Sequence, residues 1–178
     1  MNVYMNTYHS YQQGASRLFT IIFWLLLMGS MTLFFNGFID KRQNPNRHLV
    51  GMEAGLGTDV VLLRNQAGHY VAPGFINGHH VTFLLDTGAT NISVPAGIAR
   101  AAGLKQGRQA MVNTANGVVP VYATQLDTVQ LGAITLQQIQ AHINPHMSGD
   151  IVLLGMSFMK HLDMTQRDGT LTLRLPGI

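Results

Sequence analysis

Asp86 follows an apolar run, Phe83-Leu84-Leu85, and precedes Thr87, Gly88, Ala89 and Thr90. A strand that heads into a core and ends on a carboxylate is costly unless the charge is paired or hydrogen-bonded. An acid so shielded is a candidate for proton transfer at a reacting group. The competing role is structural, because Asp-Thr-Gly is ordinary turn chemistry, with the Asp side chain bonding nearby backbone. On average residue usage the tripeptide arises by accident in roughly a few per cent of chains of this length. Its surroundings must therefore decide between the two roles.

Those surroundings are short apolar and β-branched runs punctuated by turns. Val60 to Arg64 reads as a strand, and His69 to Ile76 as a second, interrupted at Pro73-Gly74. Asn77-Gly78 is a strong type I′ hairpin signal, and His79 to Leu85 returns from it into Asp86. Asn91 to Val94 is a short strand. Pro95 then opens a small helix that Gly103 ends. Met111 to Tyr122 is a second hairpin with Asn116-Gly117 at its tip; Leu126 to Leu131 and Ile134 to Ile143 are further strands. Ile151 to Leu154 is an apolar run ending in Gly155, Met156 to His161 a short helix, and Asp168-Gly169 turns a last hairpin into Leu171 to Leu175. The expected fold is mostly β, a closed barrel or sandwich with one or two short helices.

The 178 residues are 47% hydrophobic and only 11% charged, well below the usual quarter. Much of the apolar excess lies in Leu18 to Ile39, which carries no charge over 22 residues. As a helix it would reach roughly 33 Å, enough to cross a hydrocarbon core of about 30 Å. The run is longer than the apolar region of a cleaved signal peptide, so an uncleaved anchor is expected. The expected organisation is an N-terminal tail over 1–17, a membrane helix over 18–39, a linker over 40–57 and a folded domain over 58–178. Lys41, Arg42 and Arg47 after the span, against Arg17 before it, lean towards a cytoplasmic domain by charge count.

Several function classes fall away. The net charge of +3 reflects scarce acids, seven Asp and one Glu, rather than a basic run, so no nucleic-acid partner is expected. The absence of cysteine excludes disulfides, thiolate metal sites and a Cys nucleophile. His142 and His146 are four apart, but Asn144-Pro145 between them argues for a loop, and no metal site is expected.

The run "INGHHVTFLLDTGATNISVPAGIARAAGL", the "NTANG" hairpin and "LLGMSF" near the end stand in an order that resembles the retropepsin-like aspartic proteases. The resemblance covers Val60 to Leu175 and looks closest to bacterial membrane-anchored members. It implies a retropepsin-like acid-protease closed β-barrel and an aspartic endopeptidase without a cofactor. It further implies that Asp86 is the catalytic aspartate, with Thr87, Gly88 and Ala89 completing its loop. Asn113, Thr114, Ala115, Asn116 and Gly117 would form the flap over the substrate. Leu153, Leu154 and Gly155 would pack as the hydrophobic-hydrophobic-Gly element beneath the loop. It also favours an inner-membrane protein with an exported, periplasmic domain, against the charge count.

This chemistry needs two carboxylates sharing a proton, one to activate water and one to polarise the scissile carbonyl. Asp127-Thr128-Val129 lacks the Gly, Asp168-Gly169-Thr170 has the wrong order, and neither Asp150 nor Asp163 stands in such a triplet. The expected partner is Asp86 of a second copy, in a C2 homodimer acting on a peptide or protein substrate. Ala89 replaces the Ser or Thr usual in pepsin-like enzymes; without that hydroxyl, activity is expected at mildly rather than strongly acidic pH. The alternative is a catalytically silent protease-fold module for peptide binding or dimerisation.

Overall fold

The computed structural model describes residues 4–49, 59–114 and 117–177. Two units are distinguished, Met1–Lys41 and Arg42–Ile178. The first is most of one helix, α1 (Tyr4–Gln43). Its stretch Arg17–Phe35 has a mean hydropathy of 2.2 and is long and apolar enough to cross a membrane. The apolar side chains of this stretch are exposed, Leu33 by 76% and Phe19 by 74%.

The second unit is mostly β, as expected. β1 (Asp59–Leu63), β9 (Asp163–Arg167) and β10 (Thr170–Arg174) form a three-stranded antiparallel sheet in the order β1-β10-β9. At its rim Arg174 Nε donates to Asp59 Oδ1 at 2.7 Å, and that bond holds the guanidinium above its ordinary pKa. A seven-stranded sheet contains β2 (Val71–Ile76), β3 (His79–Leu85), β4 (Ile92–Pro95), β5 (Gln109–Thr114), β6 (Gly117–Leu131), β7 (Ile134–Asn144) and β8 (Ile151–Leu154). Their order is β2-β3-β8-β4-β7-β6-β5, and a further pairing of β2 with β6 joins the sheet back on itself. The helices α2 (Ala96–Ala101) and α3 (Met156–Met159) are short.

The core lies where the two sheets and α3 meet. Phe83, Leu62, Ile92, Leu126, Leu154 and Phe158 are fully buried there. Two of the three predicted Asn-Gly and Asp-Gly turns have the required backbone, the third including Asn116 outside the described residues: Asn77 and Gly78 have φ of 50° and 78°, and Asp168 and Gly169 have 48° and 77°. Those left-handed values at two successive positions define the type I′ turn that matches strand twist.

Three local readings change. β2 runs unbroken through Pro73-Gly74. Pro73 falls where β2 pairs with β3 alone, so no second neighbour needs its missing N–H, while β6 meets only Phe75 and Ile76. Gly74 is required, because a Cβ there would collide with Gln130 O and come within 2.6 Å of the Phe83 ring. β6 is one strand of 15 residues rather than two. The polar Ala123-Thr124-Gln125 stretch looked like a break, but His142, Ala141 and Gln140 of β7 carry the ladder through it. Finally, Asn46 and Leu49, within the segment expected as a linker, are buried in the second unit, which thus begins ahead of Thr58. The rest of that segment, residues 50–57, and Thr58 itself lie outside the described residues.

Candidate active site

β3 and β8 run parallel side by side, with Leu84 opposite Leu153 and Leu85 opposite Leu154. The Asp86 N–H continues that ladder to Leu154 O at 3.1 Å. Beyond this bond the chain turns. Asp86 Oδ1 accepts from the Gly88 N–H at 2.9 Å, and Asp86 O accepts from the Ala89 N–H at 3.2 Å. Asp86 is half-buried and Thr87 and Gly88 are exposed. Both roles of the acid are therefore present together. One carboxylate oxygen closes a turn on the backbone, and the other makes no hydrogen bond among the described residues.

The loop is held from below by the element that follows β8. The Met156 N–H donates to Ala89 O and the Ser157 N–H to Thr90 O, each at 2.8 Å. Ser157 Oγ, buried, accepts from the Ile92 N–H at 3.1 Å. Gly155 sits at the point of closest approach: a Cβ there would collide with Asn91 O and lie 2.6 Å from Ala89 O. The structure thus brings Leu154 against Asp86 and Gly155 against Ala89, with Leu153 one residue back beside Leu84 and Ser93, while Thr87 and Gly88 face outward. Ser157 carried no signal in the sequence, since a lone Ser in an apolar helix turn has no pattern to mark it.

The Thr87 hydroxyl has no hydrogen-bond partner among the described residues. The remaining described carboxylates lie elsewhere. Asp127 is beside the Asn77-Gly78 turn, at 3.4 Å from Asn77 Nδ2. That is the far end of β3 from Asp86, roughly 24 Å along a seven-residue strand. Asp150 precedes β8, in line with the residue before Thr82, about 16 Å down the sheet. Asp59 is bonded to Arg174, Asp163 stands opposite Arg174 on β10, and Asp168 pairs with Arg167 at 3.5 Å.

The β5–β6 hairpin carries the residues expected as a flap. Asn113 pairs with Val118, Thr114 pairs with Gly117, and Thr114 Oγ1 donates to Gly117 O at 2.8 Å. Ala115 and Asn116 lie outside the described residues. Met111 and Val118 on this hairpin are 62% and 59% exposed. β5 has β6 as its one neighbour, so the hairpin forms a margin of the sheet.

The histidines stand apart from this loop. His142 is on β7, opposite Ser93 of β4 and Ala123 of β6, where partial burial lowers its pKa from the ordinary value. His146 follows in a turn whose N–H is capped by Asn144 Oδ1 at 2.9 Å. Among the described residues no group of three or more His, Asp or Glu could hold a metal ion.

A parallel β3–β8 pair, an Asp-Thr-Gly loop leaving it and a glycine-led turn bracing that loop define an acid-protease type of site. The family model described as "gag-polyprotein putative aspartyl protease" matches residues 72–161, about half of the chain. The chain belongs to this family of retropepsin-like aspartic proteases. The crystal structure of a retropepsin-like aspartic protease from Rickettsia conorii is similar, with a TM-score of 0.55 and 28% identity. That likeness covers 66% of this chain and 90% of the other. A protein encoded in the cobV 5′ region of a Sinorhizobium species, itself uncharacterized, is 32% identical over 133 residues. The match takes in 68% of this chain but only 57% of that relative's length.

Proposed function

We propose that this chain is a membrane-anchored aspartic endopeptidase whose active site is assembled from two copies. The observation that carries the reading is the Asp86 loop: a braced Asp-Thr-Gly turn whose second carboxylate oxygen makes no hydrogen bond among the described residues, with Asp59, Asp127, Asp150, Asp163 and Asp168 of the second unit remote or engaged. The catalytic roles of Asp86, Thr87, Gly88 and Ala89 are part of this proposal, as are the flap role of Asn113 to Gly117 and the support role of Leu153, Leu154 and Gly155.

In this reading two Asp86 carboxylates meet on a C2 axis and hold one proton between them, because two like charges at such a distance do not both ionise. The ionised carboxylate takes a proton from water as it attacks the scissile carbonyl. The protonated one donates to the carbonyl oxygen. The resulting tetrahedral species collapses with proton transfer to the leaving amine. The substrate lies extended under the β5–β6 hairpins and bonds to backbone as an added strand. Exposed Met111 and Val118 favour apolar side chains beside the cleaved bond.

The exposed Thr87 hydroxyl, without a hydrogen-bond partner among the described residues, supports a symmetric contact between the two loops. The apolar helix supports attachment to a membrane. The catalytic unit is assigned to the periplasmic side, and an added protease reaching it in spheroplasts checks that assignment.

The deciding experiment is cleavage of a peptide library by the full chain in detergent, with and without pepstatin, beside the Asp86→Asn variant. Pepstatin-sensitive cleavage that the variant lacks supports the enzyme. Equal cleavage by both, or none by the wild type while it still binds peptide, overturns it in favour of a silent binding module.

A further inference from the structure

Asn46 stands only three residues beyond the last residue of α1, yet it is fully buried. Its Nδ2 donates to Leu63 O at 3.0 Å and to Val71 O at 2.7 Å, and its Oδ1 accepts from the Leu63 N–H at 2.7 Å. An amide side chain has two donors and an acceptor oxygen, so all three groups are engaged. Leu63 ends β1 in the three-stranded sheet and Val71 opens β2 in the seven-stranded sheet. A single side chain thus joins the two sheets where the chain passes from one to the other.

The neighbouring contacts act in the same sense. Asn65 Nδ2 donates to Gln43 O at 3.1 Å, and the Asn46 N–H donates to Asn44 Oδ1 at 3.1 Å. A 3-10 turn, Arg47–Leu49, then places Leu49 in the core at 5% exposure, where it and Val60 lie against Gly132. A flexible linker would leave its polar groups in water and bury no such anchor. These residues instead bind like a docked peptide: a buried amide at one end and a buried leucine at the other.

We infer that Gln43–Leu49 is a docked strap that holds the protease unit to helix α1 independently of the covalent chain beyond Leu49. Two consequences follow. A cut within 50–57 leaves the strap in place and the protease unit attached, whereas a cut before Gln43 frees it. The strap also touches the strand next to the active-site strand, since Val71 pairs with Leu84 two residues before Asp86. Loss of the strap therefore loosens the start of β2 beside the loop.

The test uses the full chain with an N-terminal affinity tag, in detergent, so it depends neither on a membrane nor on catalysis. A recognition sequence for a site-specific protease is inserted between Gly55 and Leu56 in one protein and between Asp40 and Lys41 in another. After cutting, the fragment carrying β1 to β10 should remain on the tag resin in the first and wash off in the second. Release at the same rate from both overturns the inference. Asn46→Asp keeps the size but replaces the donating nitrogen, leaving Leu63 O and Val71 O without their donor. It should speed release from the 55/56 cut at least about tenfold, since two buried carbonyls lose their donor. Release unchanged by Asn46→Asp overturns the role given to Asn46. His48→Ala, exposed on the same turn, should leave retention intact, and a loss as large as that of Asn46→Asp would equally count against the assignment.

Discussion

Asn46 and Asp86 are both polar side chains at strand junctions, and the fold treats them in opposite ways. Asn46 is shut from solvent and all its groups are bonded within the chain. Asp86 is half-buried and spends one oxygen on its own turn, and among the described residues neither its other oxygen nor the Thr87 hydroxyl beside it has a hydrogen-bond partner. Burial without satisfaction would cost about 1–3 kcal/mol per group, so a polar residue in a core must close its bonds. A site for chemistry needs the reverse, capacity held open but rigidly aimed. In this molecule the rigidity comes from Gly155, Met156 and Ser157 pressing on the loop from below. Closed polar groups build the architecture, and in the proposed function the open ones meet a substrate and a second copy.

The sharpest way to break this contrast is Asp86→Asn. Peptide cleavage should fall at least about a thousandfold, because in a symmetric dimer the substitution removes both carboxylates of the proposed pair that shares a proton. Thermal unfolding should shift little, since Asn retains an oxygen for the Gly88 N–H. A melting temperature lowered by more than about 5 °C would mean the acid is mainly structural. Mixing the inactive variant in excess with wild type should also depress wild-type activity through mixed dimers. Undiminished activity in the mixture would sink the shared site.

Gly155→Ala tests the brace rather than the acid. The added methyl collides with the backbone oxygens of Asn91 and Ala89. Overpacking of this kind costs about 1–3 kcal/mol or more. Stability by chemical denaturation and cleavage rate should fall together. Unchanged activity would show that the loop tolerates movement that the contrast forbids.

Asn46→Ala should cost roughly 2–3 kcal/mol, through backbone groups of Leu63 and Val71 left unpaired in the interior. Its turnover per folded molecule should stay within about twofold of wild type, unlike that of Asp86→Asn. Thr87→Val is the converse. It should leave the unfolding of the single chain unchanged within about 0.5 kcal/mol and weaken self-association about tenfold, read by sedimentation at several concentrations. A destabilised single chain would place the Thr87 bond inside it.

The smallest effect concerns His142. Its pKa is lowered in the folded state by burial. The unfolded chain therefore binds more protons as pH falls below about 6.5, so stability declines on acidification through that range and is intact above it. His142→Gln should flatten this part of the pH–stability curve. Because His142 is only partly buried, the effect is modest. It is separate from any acid optimum of activity.

Legibility followed local chemistry. The two Asn-Gly and Asp-Gly turns, β3 ending on Leu85, β8 ending on Leu154 and the glycine after it were readable because each depends on φ, side-chain period or apolar run length within a few residues. The β6 strand was not, because Ala123-Thr124-Gln125 lacks a large apolar residue to mark it as strand, and the pairing with β7 that carries the ladder through it is a property of two distant segments. Pro73-Gly74 misled for the same reason. A break signal became a close approach once β6 was known to pack on it. Asn46 was invisible: in "NPNRH" it has the composition of an exposed linker, and only its contacts 17 and 25 residues away make it core.

By itself the sequence determined the family resemblance, the turn that holds Asp86 and the apolar helix ahead of the domain. Tertiary structure decided which polar groups are closed and which are open. It set Gly155 and Ser157 under the loop, drew Asn46 and Leu49 into the second unit, and kept Asp127 and Asp150 at the far end of β3. The physical reason is that hydrogen-bond satisfaction in a β fold is settled between segments far apart in sequence, whereas turns and apolar periodicity are settled within a few residues.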